Sequence, residues 1–84
     1  MIFDRTIDLH NIKPQQVEFE LESFLKHSYL EGEKALLVIT GKGKGVMHNK
    51  VLKILKESKL VKRIETPLWG YGDEGAIAVW LLDC

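Results

Sequence analysis

Five apolar residues in a row, Ala35-Leu36-Leu37-Val38-Ile39, run without a polar break into Thr40-Gly41-Lys42-Gly43-Lys44-Gly45, with a helical pattern on either side. A short apolar run with no alternation marks a strand covered on both faces, as parallel strands are. A helix before such a strand and another after it put the chain in the α/β class.

The remaining segments complete the order. Arg5 to His10 alternates as a short strand. Pro14 suits the first turn of a helix, where its missing N–H costs nothing, although Lys13 is a weak cap. Val17, Leu21, Phe24, Leu25 and Ser28 follow at helical spacing with Glu18, Glu22 and Lys26 outward, and the helix is expected to stop near Gly32. Val51, Leu52 and Leu55 give a second amphipathic helix from about Val46 to Ser58. Val61 to Thr66 reads as a third strand, the glycine-rich stretch Trp69 to Gly75 as a long hairpin connection, and Ala76 to Leu82 as a fourth strand with Trp80 in the core. The expected architecture is a βαβαββ two-layer sandwich on a four-stranded mixed sheet, in one domain spanning residues 1–84 with its core at about 6–82.

At 84 residues there is room for one modest core and no more. The single cysteine, Cys84, cannot form an internal disulfide, which excludes a disulfide scaffold and a cysteine-rich zinc site. No apolar run approaches the roughly 18 residues of a membrane span, and Met-Ile-Phe-Asp-Arg opens no signal peptide. A cytoplasmic protein without membrane contact is expected. The net charge of zero hides a segregation: residues 42–63 carry Lys42, Lys44, Lys50, Lys53, Lys56, Lys59, Lys62 and Arg63 against the single acid Glu57. Such a cluster reads either as a solvated face or as an electrostatic footprint for phosphates, and its place directly behind a glycine loop favours the second.

Two short elements carry the candidate chemistry. On a strand, residues two apart share a side, so Asp8 and His10 project together while Ile7 and Leu9 face the other way. A histidine exchanges protons near neutrality, and a neighbouring carboxylate can orient its ring. One aspartate and one histidine are an incomplete ligand set, so a divalent metal is compatible with the pair but not indicated by it. The second element, Thr40-Gly41-Lys42-Gly43-Lys44-Gly45, offers close backbone approach and two mobile cations where a strand runs into a helix, which suits a phosphate. It lacks the spacing of a Walker A loop and of a dinucleotide fingerprint. His48, just beyond, is placed to contact phosphate or simply to open the helix. Parallel strands bring their C-terminal ends to one edge of the sheet, where α/β proteins bind ligands. If the first two strands are neighbours, both elements share one cleft.

Plainer readings stand beside these. The histidine is explained equally by a hydrogen-bonded strand end, and the glycines by a tight turn. Trp69 and Tyr71 either stack on unpaired bases or fold back over the sheet. His27, in the last turn of the first helix, reads as a surface residue favoured by the helix dipole. A small-ligand site holding a nucleotide phosphate is a third class beside a nuclease and a non-catalytic binding module.

From about Thr6 to Leu82 the chain resembles the small MutS-related (Smr) domain family, through Ile7-Asp8-Leu9-His10, Thr40-Gly41-Lys42-Gly43 and the late Gly75-Ala76 entering an apolar strand. The family signatures are Leu-Asp-x-His and His/Thr-Gly-x-Gly. The resemblance implies a fold similar to the C-terminal domain of translation initiation factor three. It also implies binding of RNA or DNA, with the ribosome as a partner of some relatives, and endonuclease activity in some members. Carried over by position, Asp8 and His10 are the catalytic pair and Gly41, Lys42 and Gly43 the substrate loop. Three departures stand out: Asn11 where many relatives have glycine, Thr40 where histidine is frequent, and Met47-His48 where Leu-Arg is frequent. The expected function is a nucleic-acid-binding domain that hydrolyses phosphodiester bonds, with Thr40, Gly41, Lys42, Gly43, Lys44, Gly45 and His48 on the substrate.

Overall fold

In the computed structural model, residues 3–41, 45–65 and 75–83 are described. Strand β1 (Arg5–Asp8) leads to helix α1 (Pro14–Leu30), strand β2 (Ala35–Ile39), helix α2 (Val46–Glu57), and the strands β3 (Val61–Glu65) and β4 (Ala76–Leu81). The predicted order βαβαββ is thus the observed one. The four strands form one mixed sheet in the order β1-β2-β4-β3. β1 and β2 are parallel, with Asp8 opposite Ile39, and β4 pairs antiparallel with β2 and with β3.

Alternation sorts the sheet into two faces. Ile7, Leu36, Val38, Ile77, Val79, Leu81, Val61 and Ile64 turn toward the helices and pack with Leu9, Val17, Leu21, Leu25, Val51 and Leu55. The buried positions of α1 are Val17, Leu21, Leu25 and Ser28, the predicted stripe, with Phe24 half-buried at its border. Burying an aliphatic side chain of this kind contributes about 1.5–3 kcal/mol, so this single cluster is the main source of stability.

β2 is buried throughout its centre, as predicted, with Leu36 and Val38 at 0% and Leu37 at 5% exposure. Its Leu36/Val38 face meets the helices, and the strand is parallel to one neighbour and antiparallel to the other, as the expected mixed sheet requires. Two sequence expectations need correction. Trp80 is not in the core. Its register opposite Ala35 and Arg63 puts it on the opposite face, half-buried, with the Arg63 guanidinium 4.2 Å over its ring. The first strand ends at Asp8 rather than His10. The Asp8 carboxylate accepts the His10 N–H at 3.0 Å, an Asx turn that takes the chain out of the ladder after Leu9 N–H has donated to Ile39 O at 2.7 Å.

Local chemistry explains the element ends. Pro14 occupies the start of α1, and Lys13 caps it in an extended conformation without a side-chain hydrogen bond. At the other end Gly32, at φ +77°, lets the chain reverse while Glu33 N–H donates to Ser28 O at 3.0 Å. The entry to β2 is clamped by Asp4, which accepts from Lys34 N–H at 2.8 Å and Ala35 N–H at 3.0 Å. Those two donors hold its carboxyl below the usual carboxylate range. Residues 66–74, including Trp69, Tyr71 and the hairpin expectation, lie outside the described residues, as does Cys84. Among the described residues no helix is long and apolar enough to cross a membrane.

Candidate active site

The parallel pairing of β1 and β2 brings the two sequence elements to one edge of the sheet. Asp8 and His10 are both about half exposed there, with side-chain exposures of 49% and 48%. Asp8 Oδ1 pairs with the Nδ1 atom of His10 and also accepts the His10 backbone N–H. The ring contact and then the backbone N–H hold the Asp8 carboxyl below its ordinary value, so it is ionised at neutral pH. An ionised carboxylate only accepts, which places a proton on Nδ1 and turns Nε2 away from Asp8. The proximity predicted from strand alternation is real, but the Asx turn is what closes it.

Gly41 of the second element meets the first by close packing. Gly41 has φ +82°, and a Cβ built on it would stand 2.7 Å from His10 Cβ. No side chain fits between them. Behind Gly41 lies Gly75, whose own Cβ position is 3.0 Å from the Gly41 carbonyl carbon. The Gly75 carbonyl accepts from Thr40 N–H at 2.6 Å and from Gly41 N–H at 3.3 Å. The Gly41 N–H is therefore used inside the fold, and this glycine serves by letting backbone approach the Asp8/His10 turn.

Thr40 is only 4% exposed, and its hydroxyl lies 3.2 Å from His48 Nδ1 in the first turn of α2. Two of the three departures from the family pattern thus touch each other, a contact that no sequence signal eight residues apart announces. Gly45, at φ +84°, caps α2 without a side-chain hydrogen bond. Lys42, Gly43 and Lys44 lie outside the described residues.

The basic segment divides on folding. Lys50 Nζ donates to Pro14 O at 2.7 Å, tying the start of α2 to the start of α1. Lys50 and Lys53 line a groove between the helices together with Glu18, Glu22 and Glu57. Two of these acids, Glu18 and Glu22, come from α1, a proximity that the segment count could not reveal. Among the described residues no group of three or more His, Cys, Asp or Glu could hold a metal ion.

Comparison with known proteins agrees with this fold. The fold matches the crystal structure of the Smr domain of Thermus thermophilus MutS2 with a TM-score of 0.87 over 93% of this chain and 98% of that one, at 23% identity. It also matches YdaL, a stand-alone small MutS-related protein from Escherichia coli, with a TM-score of 0.83 over 90% of this chain and 63% of that one, at 24% identity. Among sequences, the endonuclease MutS2 of Fusobacterium nucleatum is 38% identical over 82% of this chain, and that of Caldicellulosiruptor saccharolyticus 29% identical over 95%. The chain spans about a tenth of the length of these curated relatives. The family model of the Smr domain matches residues 7–82, from the residue before Asp8 to the residue after β4, and the chain belongs to the Smr domain family.

Proposed function

We propose that this Smr domain binds RNA or DNA and hydrolyses phosphodiester bonds as an endonuclease. The observation that carries the reading is the Asp8/His10 pair, exposed at the edge where β1 and β2 end and pressed against Gly41 of the glycine loop. The endonuclease MutS2 relatives, matched along nearly the whole domain, support it.

In this mechanism Asp8 holds the His10 ring by Nδ1. His10 Nε2 takes the proton of the attacking oxygen or returns one to the leaving oxygen. Lys42 and Lys44 supply positive charge to the phosphate as negative charge grows on it. Thr40, Gly41, Gly45 and His48 shape the strand-to-helix turn that receives the backbone, and Gly43 is a further substrate contact. A protein acting on cellular nucleic acid in this way belongs in the cytoplasm.

The test is incubation of end-labelled RNA and DNA, single- and double-stranded, with the parent protein and His10→Ala, in magnesium, manganese or EDTA. Cleavage by the parent that collapses in His10→Ala is the expected result. Intact substrate after long incubation with stoichiometric parent protein, despite binding, would replace the endonuclease with a binding module.

A further inference from the structure

We propose that Gly75 is a positioning residue for His10: its missing side chain sets how closely the entry of β4 approaches Gly41, and Gly41 in turn sets where His10 sits. The inference rests on the reading of Asp8 and His10 as the reactive pair and deepens it.

The sheet order places β2 between β1 and β4. The turn that leaves β2 is therefore flanked by the residues just beyond β1 on one side and by the residue entering β4 on the other. On the β1 side Leu9 N–H donates to Ile39 O at 2.7 Å, and the Cβ position of Gly41 stands 2.7 Å from His10 Cβ. On the β4 side the Gly75 carbonyl accepts from Thr40 N–H at 2.6 Å and from Gly41 N–H at 3.3 Å. Gly41 is held between these two neighbours with no side chain as a spacer on either side.

Two different needs place a glycine in a chain, and they separate here. Gly32, Gly41 and Gly45 all have positive φ, a conformation that glycine adopts without steric cost. Gly75 lies outside that region, so an alanine there carries no strain of this kind. What excludes a side chain at Gly75 is packing. A Cβ would lie 3.0 Å from the carbonyl carbon of Gly41, 3.1 Å from its oxygen and 3.2 Å from its Cα. All three are backbone atoms, which move only if the turn itself moves. A single methyl group at this position therefore shifts Gly41 by a few tenths of an ångström, and His10, packed directly against Gly41, feels the shift. An alanine keeps the carbonyl to which Thr40 and Gly41 donate, so the substitution adds bulk without removing a hydrogen bond.

The experiment places Gly75→Ala in the parent and in a His10→Ala background. Ring ¹H–¹³C signals of the free protein are followed for His10, with His27 in the last turn of α1 as the reference. The His10 signals should move in Gly75→Ala and those of His27 should stay. Cleavage of an end-labelled oligonucleotide, at saturating substrate and well below the Tm of each variant, should slow about 2- to 10-fold, part of the roughly 100-fold that a 1 Å misplacement costs. The same substitution should leave the residual cleavage of His10→Ala unchanged, because the group it displaces is gone. A role confined to folding would lower both rates by one factor. Unmoved His10 signals, a parent-like rate in Gly75→Ala, or an equal loss in the two backgrounds would each overturn the proposal. Sucrose, which favours the compact state, keeps a weakened Gly75→Ala folded for both readouts. A variant unfolded even there would also overturn it, since a shift this small does not undo a core. A parent protein that cleaves no oligonucleotide would remove the proposed function itself, whereas a cleaving parent with unmoved His10 signals in Gly75→Ala removes only this inference.

Discussion

Replacing Gly41 with alanine tests the packing that joins the two halves of the site, and two separate costs can be worked from the structure. The first is conformational: at φ +82° an alanine sits in the left-handed region, at a cost of about 1–2 kcal/mol. The second is steric. The new Cβ would stand 2.7 Å from His10 Cβ, and ordinary contact begins at 3.4 Å, so His10 or the loop must retreat by about 0.7 Å. The contact is with a Cβ, which cannot swing aside like the end of a long chain. Gly32→Ala separates the two costs, because Gly32 has φ +77° and nothing within 4 Å of its Cβ position. Both variants should lose the conformational part, lowering Tm by about 4–16 °C in a domain of this size. Only Gly41→Ala should displace the His10 ring, and a misplacement approaching 1 Å costs about 10- to 100-fold in rate. Thermal unfolding followed by circular dichroism and cleavage of an end-labelled oligonucleotide at saturating substrate are the assays. If Gly41→Ala were no less stable than Gly32→Ala and cut at the parent rate, the close approach of Gly41 to His10 would play no part in the site.

His10→Ala should reduce cleavage by about 10²- to 10⁴-fold while oligonucleotide affinity, measured by fluorescence anisotropy, stays near that of the parent. Lys42→Ala/Lys44→Ala should make the slope of log K against log salt shallower by about 1.4 on single strands, at roughly 0.7 per phosphate contact. Lys53→Ala, which removes a charge already set among Glu18, Glu22 and Glu57, should leave that slope unchanged. Asp4→Ala should lower the urea midpoint at neutral pH, because the Asp4 carboxylate accepts two backbone N–H groups at the entry to β2. The folded state lowers the pKa of Asp4, so its stabilisation is fully present above the unfolded value near 3.8 and fades as pH falls through the folded one. The gap between parent and Asp4→Ala midpoints should therefore narrow on acidification below about pH 4, and a gap that widened would reverse the assignment.

Much of this protein is written in local periodicity. The stripe Val17-Leu21-Leu25-Ser28 and the run Ala35–Ile39 specify a helix and a central strand wherever they are placed, because the spacing of apolar side chains is a property of the segment itself. The element order was legible for the same reason, and the meeting of Asp8 with His10 was legible too, although an Asx turn rather than strand alternation closes it. What the segments could not state is which partner each one meets. Trp80 carries the apolar character of a core residue, yet register alone sends it to the far face beneath Arg63. Lys50 and Lys53 belong to a strongly basic stretch, yet the packing of α2 on α1 sets them beside acids from the first helix. Thr40 and His48, Gly41 and His10, and Gly41 and Gly75 become contacts only when the β1-β2-β4-β3 sheet has closed. Side-chain periodicity is set by backbone geometry within a few residues, whereas these contacts depend on pairings between strands far apart in the chain. The sequence by itself determined the elements and the chemical groups at their ends; the tertiary structure decided which of those groups face one another.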